Sequence, residues 1–198
     1  RIFELEEKDY GKLNIYSLKQ DGKNTVFDER ETILFVRLAK PLMPGEKTTL
    51  EMVFKGQVPL QIRRSGKLNK EGVDLTMTQW FPKLAEYDNE GWHPNPYIGR
   101  EFHGVWGNYT VNITIDKNYV VGGTGYLQNI NEIGHGYGEK TEKTKGDVLT
   151  WKFYAPNVHD FAWAADPEYK HDIKQSASGV DIHFFYKSNE EGWERLQD

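Results

Sequence analysis

Between residues 109 and 116 the chain alternates strictly. Tyr109, Val111, Ile113 and Ile115 are apolar, and Thr110, Asn112, Thr114 and Asp116 are polar. A period of two gathers the apolar set on one side of a strand, which is the signature of a sheet with one buried face. Asp116-Lys117-Asn118 then supplies turn chemistry before Tyr119-Val120-Val121. The same period gathers Leu149, Trp151 and Phe153 within residues 148–154, and Val180, Ile182, Phe184 and Tyr186 within residues 180–186. Residues 32–38 are apolar and β-branched, and residues 48–54 follow a turn-rich stretch holding Pro41, Pro44 and Gly45. Residues 1–18 predict two strands around Asp9-Tyr10-Gly11. No long helical period exists; residues 81–87 and 167–174 each have room for one short helical turn. Many short strands parted by turn signals predict an all-β fold, either a sandwich or an open, curved sheet.

The intervening stretches are read by composition. Gly122-Gly123-Thr124-Gly125 is glycine-rich but lacks the Lys-Ser/Thr ending of a phosphate loop, so it predicts a bend or bulge in a sheet. Residues 129–147, rich in Gly, Lys and Glu, predict an exposed loop or hairpin tip. Residues 190–198 are polar and look like the start of a linker.

Composition narrows the classes. The 198 residues are 37% hydrophobic and 28% charged, a globular balance. The 6 Trp, 11 Tyr and 10 Phe suit the pleated, half-buried surface of a sheet. The net charge of −5 is spread among interspersed acids and bases, with no basic block to release counterions from a phosphate backbone, so nucleic acid is not an expected partner. No apolar run approaches the roughly 20 residues of a membrane helix. Without cysteine, this segment has no disulfide, thiolate zinc site or cysteine nucleophile, and either redox compartment is tolerated. The chain opens on Arg1 instead of methionine and reads as a processed or truncated product.

A search for chemistry is mostly negative. The six histidines, at 93, 103, 135, 159, 171 and 183, show no metal-ligand spacing, and His-Glu-x-x-His is absent. No Gly-x-Ser-x-Gly elbow supports a serine nucleophile, and Ser176 and Ser178 fall in a polar loop. The overlapping sequons at Asn108 and Asn112 are attributed to chance. Asp160, Asp166 and Glu168 read as solvated turn acids around Pro167, and nothing singles out a catalytic carboxylate pair. Residues 76–103 stand apart. Trp80, Phe81, Trp92, Tyr97 and Phe102 lie there among Pro82, Pro94 and Pro96. So aromatic and irregular a segment must pack or line a groove, and such segments often border binding sites.

Those residues carry a resemblance. Thr78-Gln79-Trp80-Phe81-Pro82-Lys83, then Tyr87-Asp88 and Gly91-Trp92-His93-Pro94, resemble the N-terminal domain of a bacterial branch of the aminopeptidase N family of zinc metallopeptidases. The likeness extends through Glu101-Phe102, Tyr109-Thr110-Val111, residues 117–122, Thr124-Gly125 to Gln128-Asn129, and residues 158–164. Lys40-Pro41-Leu42 and Pro44-Gly45-Glu46 fit the same pattern.

The resemblance implies a saddle-like, antiparallel β-sandwich over residues 1–187, with upstream strands missing. Residues 188–198 would begin a linker towards an absent thermolysin-like catalytic domain. That domain would carry Gly-x-Met-Glu-Asn, His-Glu-x-x-His and a later glutamate ligand, so zinc belongs to the full-length enzyme and not to this segment. The implied partners are that downstream domain and the N-terminus of a peptide substrate; the implied location is the periplasm or cell surface. The family's Thr-Gln-x-Gln/Glu stretch reaches into the cleft and binds the substrate amine. Thr78-Gln79 matches its start, whereas Phe81 stands at the second polar position and cannot accept a hydrogen bond from an ammonium. The expected substrate-binding residues are therefore Gln79, with Trp80 and Phe81 shaping an apolar pocket, set against Gln79 merely satisfying buried backbone groups. His93 is expected to anchor its loop by hydrogen bonds, and Phe161 and Trp163 to pack. The alternative function is a stand-alone β-sandwich binding module for carbohydrate, with Trp80, Trp92 and Trp106 as stacking platforms.

Overall fold

The computed structural model describes residues 2–96, 104–142, 145–187 and 192, with Ile2 as backbone only. The strands, in chain order, are β1 (Lys12–Gln20), β2 (Lys23–Asn24), β3 (Val26–Arg30), β4 (Ile33–Arg37), β5 (Leu50–Gln57), β6 (Gly66–Lys67), β7 (Leu75–Met77), β8 (Glu86–Asp88), β9 (Gly91–His93), β10 (Gly107–Asp116), β11 (Val120–Gly123), β12 (Tyr126–Leu127), β13 (Val148–Val158), β14 (Trp163–Asp166), β15 (Tyr169–Gln175) and β16 (Asp181–Lys187). One helical turn, α1 (Ile130–Ile133), precedes β13, and two 3-10 turns, Ile2–Glu4 and Glu7–Asp9, precede β1. The fold is all-β, and its named strands pair antiparallel throughout. The chain divides into two compact units, Arg1–Pro59 with Trp80–Val105, and Leu60–Gln79 with Trp106–Asp198. The expected linker lies outside the described residues, Gly192 apart.

In the first unit β1 pairs along β5 from Lys12↔Gln57 to Gln20↔Leu50, with an irregularity around Tyr16. Leu18 and Gln20 are its buried anchors, each 3% exposed. Gln20 meets the backbone of Lys40 twice: its Nε2 donates to the Lys40 carbonyl at 3.0 Å, and its Oε1 accepts from the Lys40 amide at 2.9 Å. Both ends of a buried amide are thereby satisfied, and the loop after β4 is pinned. β3 with β4 and β8 with β9 form separate hairpins.

The second unit holds the larger core. One sheet runs β11-β14-β7-β6 and another β10-β13-β12, beside the hairpin β15-β16. Leu149, Trp151, Phe153 and Ala155 form the buried face of β13, as the alternation predicts. Phe153 lies against Gly123, and Phe185 of β16 lies against Gly122, where a Cβ would stand 2.9 Å from the ring. Neighbouring residues of a strand face opposite sides. β11 is therefore covered on both faces, and its glycines admit the two rings.

Several expectations are corrected. Residues 1–18 hold one strand, because Glu6 and Asp9 cap a 3-10 turn where a first strand was expected. Residues 81–87 contain no helical turn but lead into β8, and residues 167–174 form most of β15. Residues 129–147 are not wholly an exposed tip: Ile133 is 1% exposed, and the Tyr137 hydroxyl donates to the Val121 carbonyl at 2.9 Å. Ile133 and Tyr137 anchor this otherwise polar stretch, with Tyr137 reaching β11 and the Trp151 ring of β13. In β16 the alternation holds but the burial differs. Val180, just before the strand, and Ile182 are exposed, Phe184 is half-buried and Tyr186 is buried, whereas Phe185, on the opposite face, packs on β11.

Candidate functional site

The Thr78–Lys83 stretch straddles the boundary between the two units, with Gln79 ending one segment and Trp80 opening the next. Thr78 follows β7, and its amide donates to the Ser65 hydroxyl at 3.4 Å. Gln79 has φ 53°, the left-handed region that a side chain rarely occupies. Strain of this kind, on the order of 1–3 kcal/mol, persists where its surroundings over-determine it, and it concentrates at functional sites. The Trp80 and Phe81 rings meet edge to face at 5.1 Å, and the Lys83 ammonium lies 5.4 Å from the Phe81 centroid. Phe81 is thus held by an aromatic and a cation–π contact.

Next to Thr78, within the second unit, an open depression of about 530 Å³ lies over the small side chains of the sheet. Gly122, Thr76 and Thr78 line it, with Tyr169 and Phe185 as aromatic walls and Arg64 as its cationic group. Its size falls within the range of ligand pockets, roughly 300–1,000 Å³.

In the first unit, the His93 imidazole lies 2.9 Å from the Asp88 carboxylate across the β8–β9 hairpin, an ion-pair contact. Asp88 raises the His93 pKa by hydrogen bonding and charge, and is itself lowered by the same bond.

Asp166 departs from the solvated acid that sequence reasoning expected. It is fully buried. Its Oδ2 accepts from the Asp74 amide at 3.0 Å and lies 3.2 Å from the Lys187 ammonium; its Oδ1 accepts from the Glu168 amide at 2.8 Å. Lys187 also reaches the Gly72 carbonyl at 2.8 Å and the Glu168 carboxylate at 2.8 Å. The Tyr119 hydroxyl donates to Asp74 at 2.8 Å. A carboxylate so supplied with donors is tolerated in the interior because its partners replace water. The only outward signal is the Asp-Pro step that starts the β14–β15 turn.

Three histidines missed as a group converge around Tyr137. The His171 ring stacks on Phe185 at 4.3 Å and meets the Tyr137 ring at 4.2 Å. Its Nδ1 lies 3.0 Å from the His135 carbonyl, and its Nε2 lies 2.9 Å from Nδ1 of His183. His135 stacks on Trp151 at 5.7 Å, with Nε2 3.2 Å from the Lys117 carbonyl. Residues 171 and 183 show no motif spacing; only the register of the hairpin brings them together.

Burial lowers the pKa of His135 and of His171, reinforced by Lys140 beside the first and His183 beside the second. The unfolded chain therefore takes up protons first as pH falls. Stability of the second unit from these residues is complete above their unfolded value, about 6.5, and declines as pH drops below it. Hydrogen exchange at the β13 amides is expected to quicken, beyond its intrinsic pH dependence, between pH 7 and pH 5. Unchanged or improved protection over that interval would contradict this account.

Among the described residues no three His, Asp or Glu side chains gather as a metal-binding set. The resemblance places the catalytic zinc in the full-length enzyme, and no chemical step is assigned to the described residues through it.

No family model and no curated protein matches the sequence. Solved structures do match by fold. A two-domain M1 zinc metallopeptidase mutant bound to L-arginine aligns with a TM-score of 0.56 at 15% identity, covering 89% of this chain and 38% of that one. The M1 zinc metallopeptidase of Deinococcus radiodurans gives the same values. A mutant of the Deinococcus radiodurans enzyme bound to a Tyr-Ser-Ala substrate aligns at 0.55 and 16% identity, covering 93% of this chain and 42% of that one. The chain thus spans about two fifths of these proteins and shares with that portion an antiparallel β fold that recurs within M1 zinc metallopeptidases.

Proposed function

We propose that this chain is the non-catalytic N-terminal domain of a zinc-dependent aminopeptidase, packing on a catalytic domain and bordering the substrate cleft. The supporting observation is the fold likeness: 89% of this chain superposes on 38% of an M1 zinc metallopeptidase. The Thr78-Gln79-Trp80-Phe81-Pro82-Lys83 stretch adds residue-level support. Peptide cleavage would rest on zinc held by the catalytic domain, which polarises the carbonyl and activates water. This chain's part is recognition and access.

Within that reading, Gln79 contacts the free amine of the peptide. It lies two residues beyond β7 with a left-handed backbone. Trp80 and Phe81 shape an apolar surface beside it, because Phe81 has no group to accept a hydrogen bond from an ammonium. The Gln79→Ala change in the full-length enzyme removes a hydrogen bond to a charged group, worth about 1.5–3 kcal/mol. Steady-state kinetics are expected to show KM raised about 10- to 100-fold, kcat less affected, and thermal stability retained. Unchanged KM with a lowered melting temperature would assign Gln79 to backbone satisfaction instead.

One observation favours the second reading, a stand-alone carbohydrate-binding module. Trp92 is 56% exposed and Trp106 is 62% exposed, so both could stack on a sugar ring. Trp106 borders a separate depression of about 470 Å³ with His159 and Asp160.

A further inference from the structure

The register of the β15–β16 hairpin pairs His171 with Phe185 and Ile173 with His183. His171 and His183 are therefore diagonal neighbours on one face, close enough for their side chains to meet. Their rings lie within 17° of parallel with centroids 5.1 Å apart, and Nε2 of His171 is 2.9 Å from Nδ1 of His183. A centroid distance so much longer than the nitrogen separation means that the rings meet edge to edge, nitrogen to nitrogen.

The partners assign the protons. The His135 carbonyl, 3.0 Å from Nδ1 of His171, can only accept, so Nδ1 carries the hydrogen. In the neutral ring Nε2 then carries the lone pair, and it accepts from Nδ1–H of His183. A backbone carbonyl holding the far nitrogen of an imidazole is the arrangement that fixes the tautomer of metal-ligating histidines. A ligand nitrogen must be unprotonated, and in this tautomer Nε2 of His171 is. His183 is exposed, so its ring can turn and its proton can move from Nδ1 to Nε2 without a buried cost.

We propose that His171 and His183 form a two-imidazole site for a divalent transition-metal ion, with copper(II) the tightest-binding. On binding, the His183 proton passes through solvent from Nδ1 to Nε2. Nε2 of His171 and Nδ1 of His183 each donate a lone pair to the metal, and no net proton is released. Metal–imidazole bonds of about 2.0–2.1 Å at a right angle place the two nitrogens about 2.9 Å apart. The two nitrogens already lie at that spacing but face each other along the hydrogen bond; a turn of the exposed His183 ring brings both lone pairs onto one metal at a square-planar edge, the geometry of copper(II) and nickel(II), and the Irving–Williams order puts copper ahead. Water completes the coordination.

The test is a titration of the 198-residue chain with copper(II) chloride, read by electron paramagnetic resonance and by competition with glycine. One equivalent is expected to bind with the hyperfine pattern of two equatorial nitrogens. His183→Gln and His171→Gln are each expected to weaken binding about tenfold or more, while His159→Gln leaves it unchanged. Circular dichroism checks folding; the His183 variant, altered at an exposed position, carries the test even if the His171 variant unfolds. Absence of a stoichiometric site, or affinity that survives His183→Gln, or equal loss in His159→Gln, would overturn the proposal.

Discussion

Replacing Asp166 with alanine is expected to cost the second unit about 3–5 kcal/mol, the penalty typical of breaking a buried ion pair from one side. The loss has three parts. The amides of Asp74 and Glu168 lose their acceptor, and the Lys187 ammonium, only 14% exposed along its side chain, loses a buried counter-charge. Glu168, at 2.8 Å from Lys187, remains but is exposed and screened. Asp166→Asn keeps one acceptor oxygen and the shape, so about 1–3 kcal/mol is expected there. Urea unfolding monitored by tryptophan fluorescence measures both. A midpoint for the alanine variant indistinguishable from the parent would show that the loop before β7 holds without Asp166.

Gly125→Ala is the second large effect. Here the chain leaves β11 in one sheet and enters β12 in another, two residues apart, at φ +85°. A Cβ at this point would stand 2.4 Å from the Tyr154 carbonyl oxygen and 2.7 Å from the Ala155 Cα. Both are backbone atoms of β13, so no rotamer change relieves the contact. The left-handed conformation costs a side chain about 1–2 kcal/mol, and overpacking adds about 1–3 kcal/mol. Their sum, about 2–5 kcal/mol, is to be compared with Gly179→Ala, where φ is +82° but nothing lies within 4 Å. Gly179→Ala is expected to show the conformational part alone. Equal losses at the two positions would mean that the approach of β13 is unimportant.

The glycine result bears on what a sequence discloses. Gly122-Gly123-Thr124-Gly125 was legible as a bend because it lacks the residues of a phosphate loop, and the bend is the passage between two sheets. β10 and β13 were legible because one face of each is buried and the other wet, so the period of two survives in the residue types. β15 was not. Tyr-Lys-His-Asp-Ile-Lys-Gln alternates only if His171 counts as a core residue, which it becomes by stacking on Phe185. Asp166 was misjudged for the same reason: its donors come from residues 74, 168 and 187, and two of those lie far along the chain. The length of the chain leaves room for two small domains, but local pattern does not draw the division into units. Each unit is assembled from two separate segments, and the crossing at Gln79–Trp80 falls inside the most distinctive motif. Local pattern reports local structure, and the partnerships that bury a histidine or a carboxylate are not local.

The central claim is that this β domain serves a zinc aminopeptidase. Its most direct test is to read the parent gene past the codon for Asp198. The account predicts Gly-x-Met-Glu-Asn followed by His-Glu-x-x-His and a later glutamate. A frame that ends near that codon, or continues into an unrelated sequence, would contradict it and bring the binding module with its exposed tryptophans to the front.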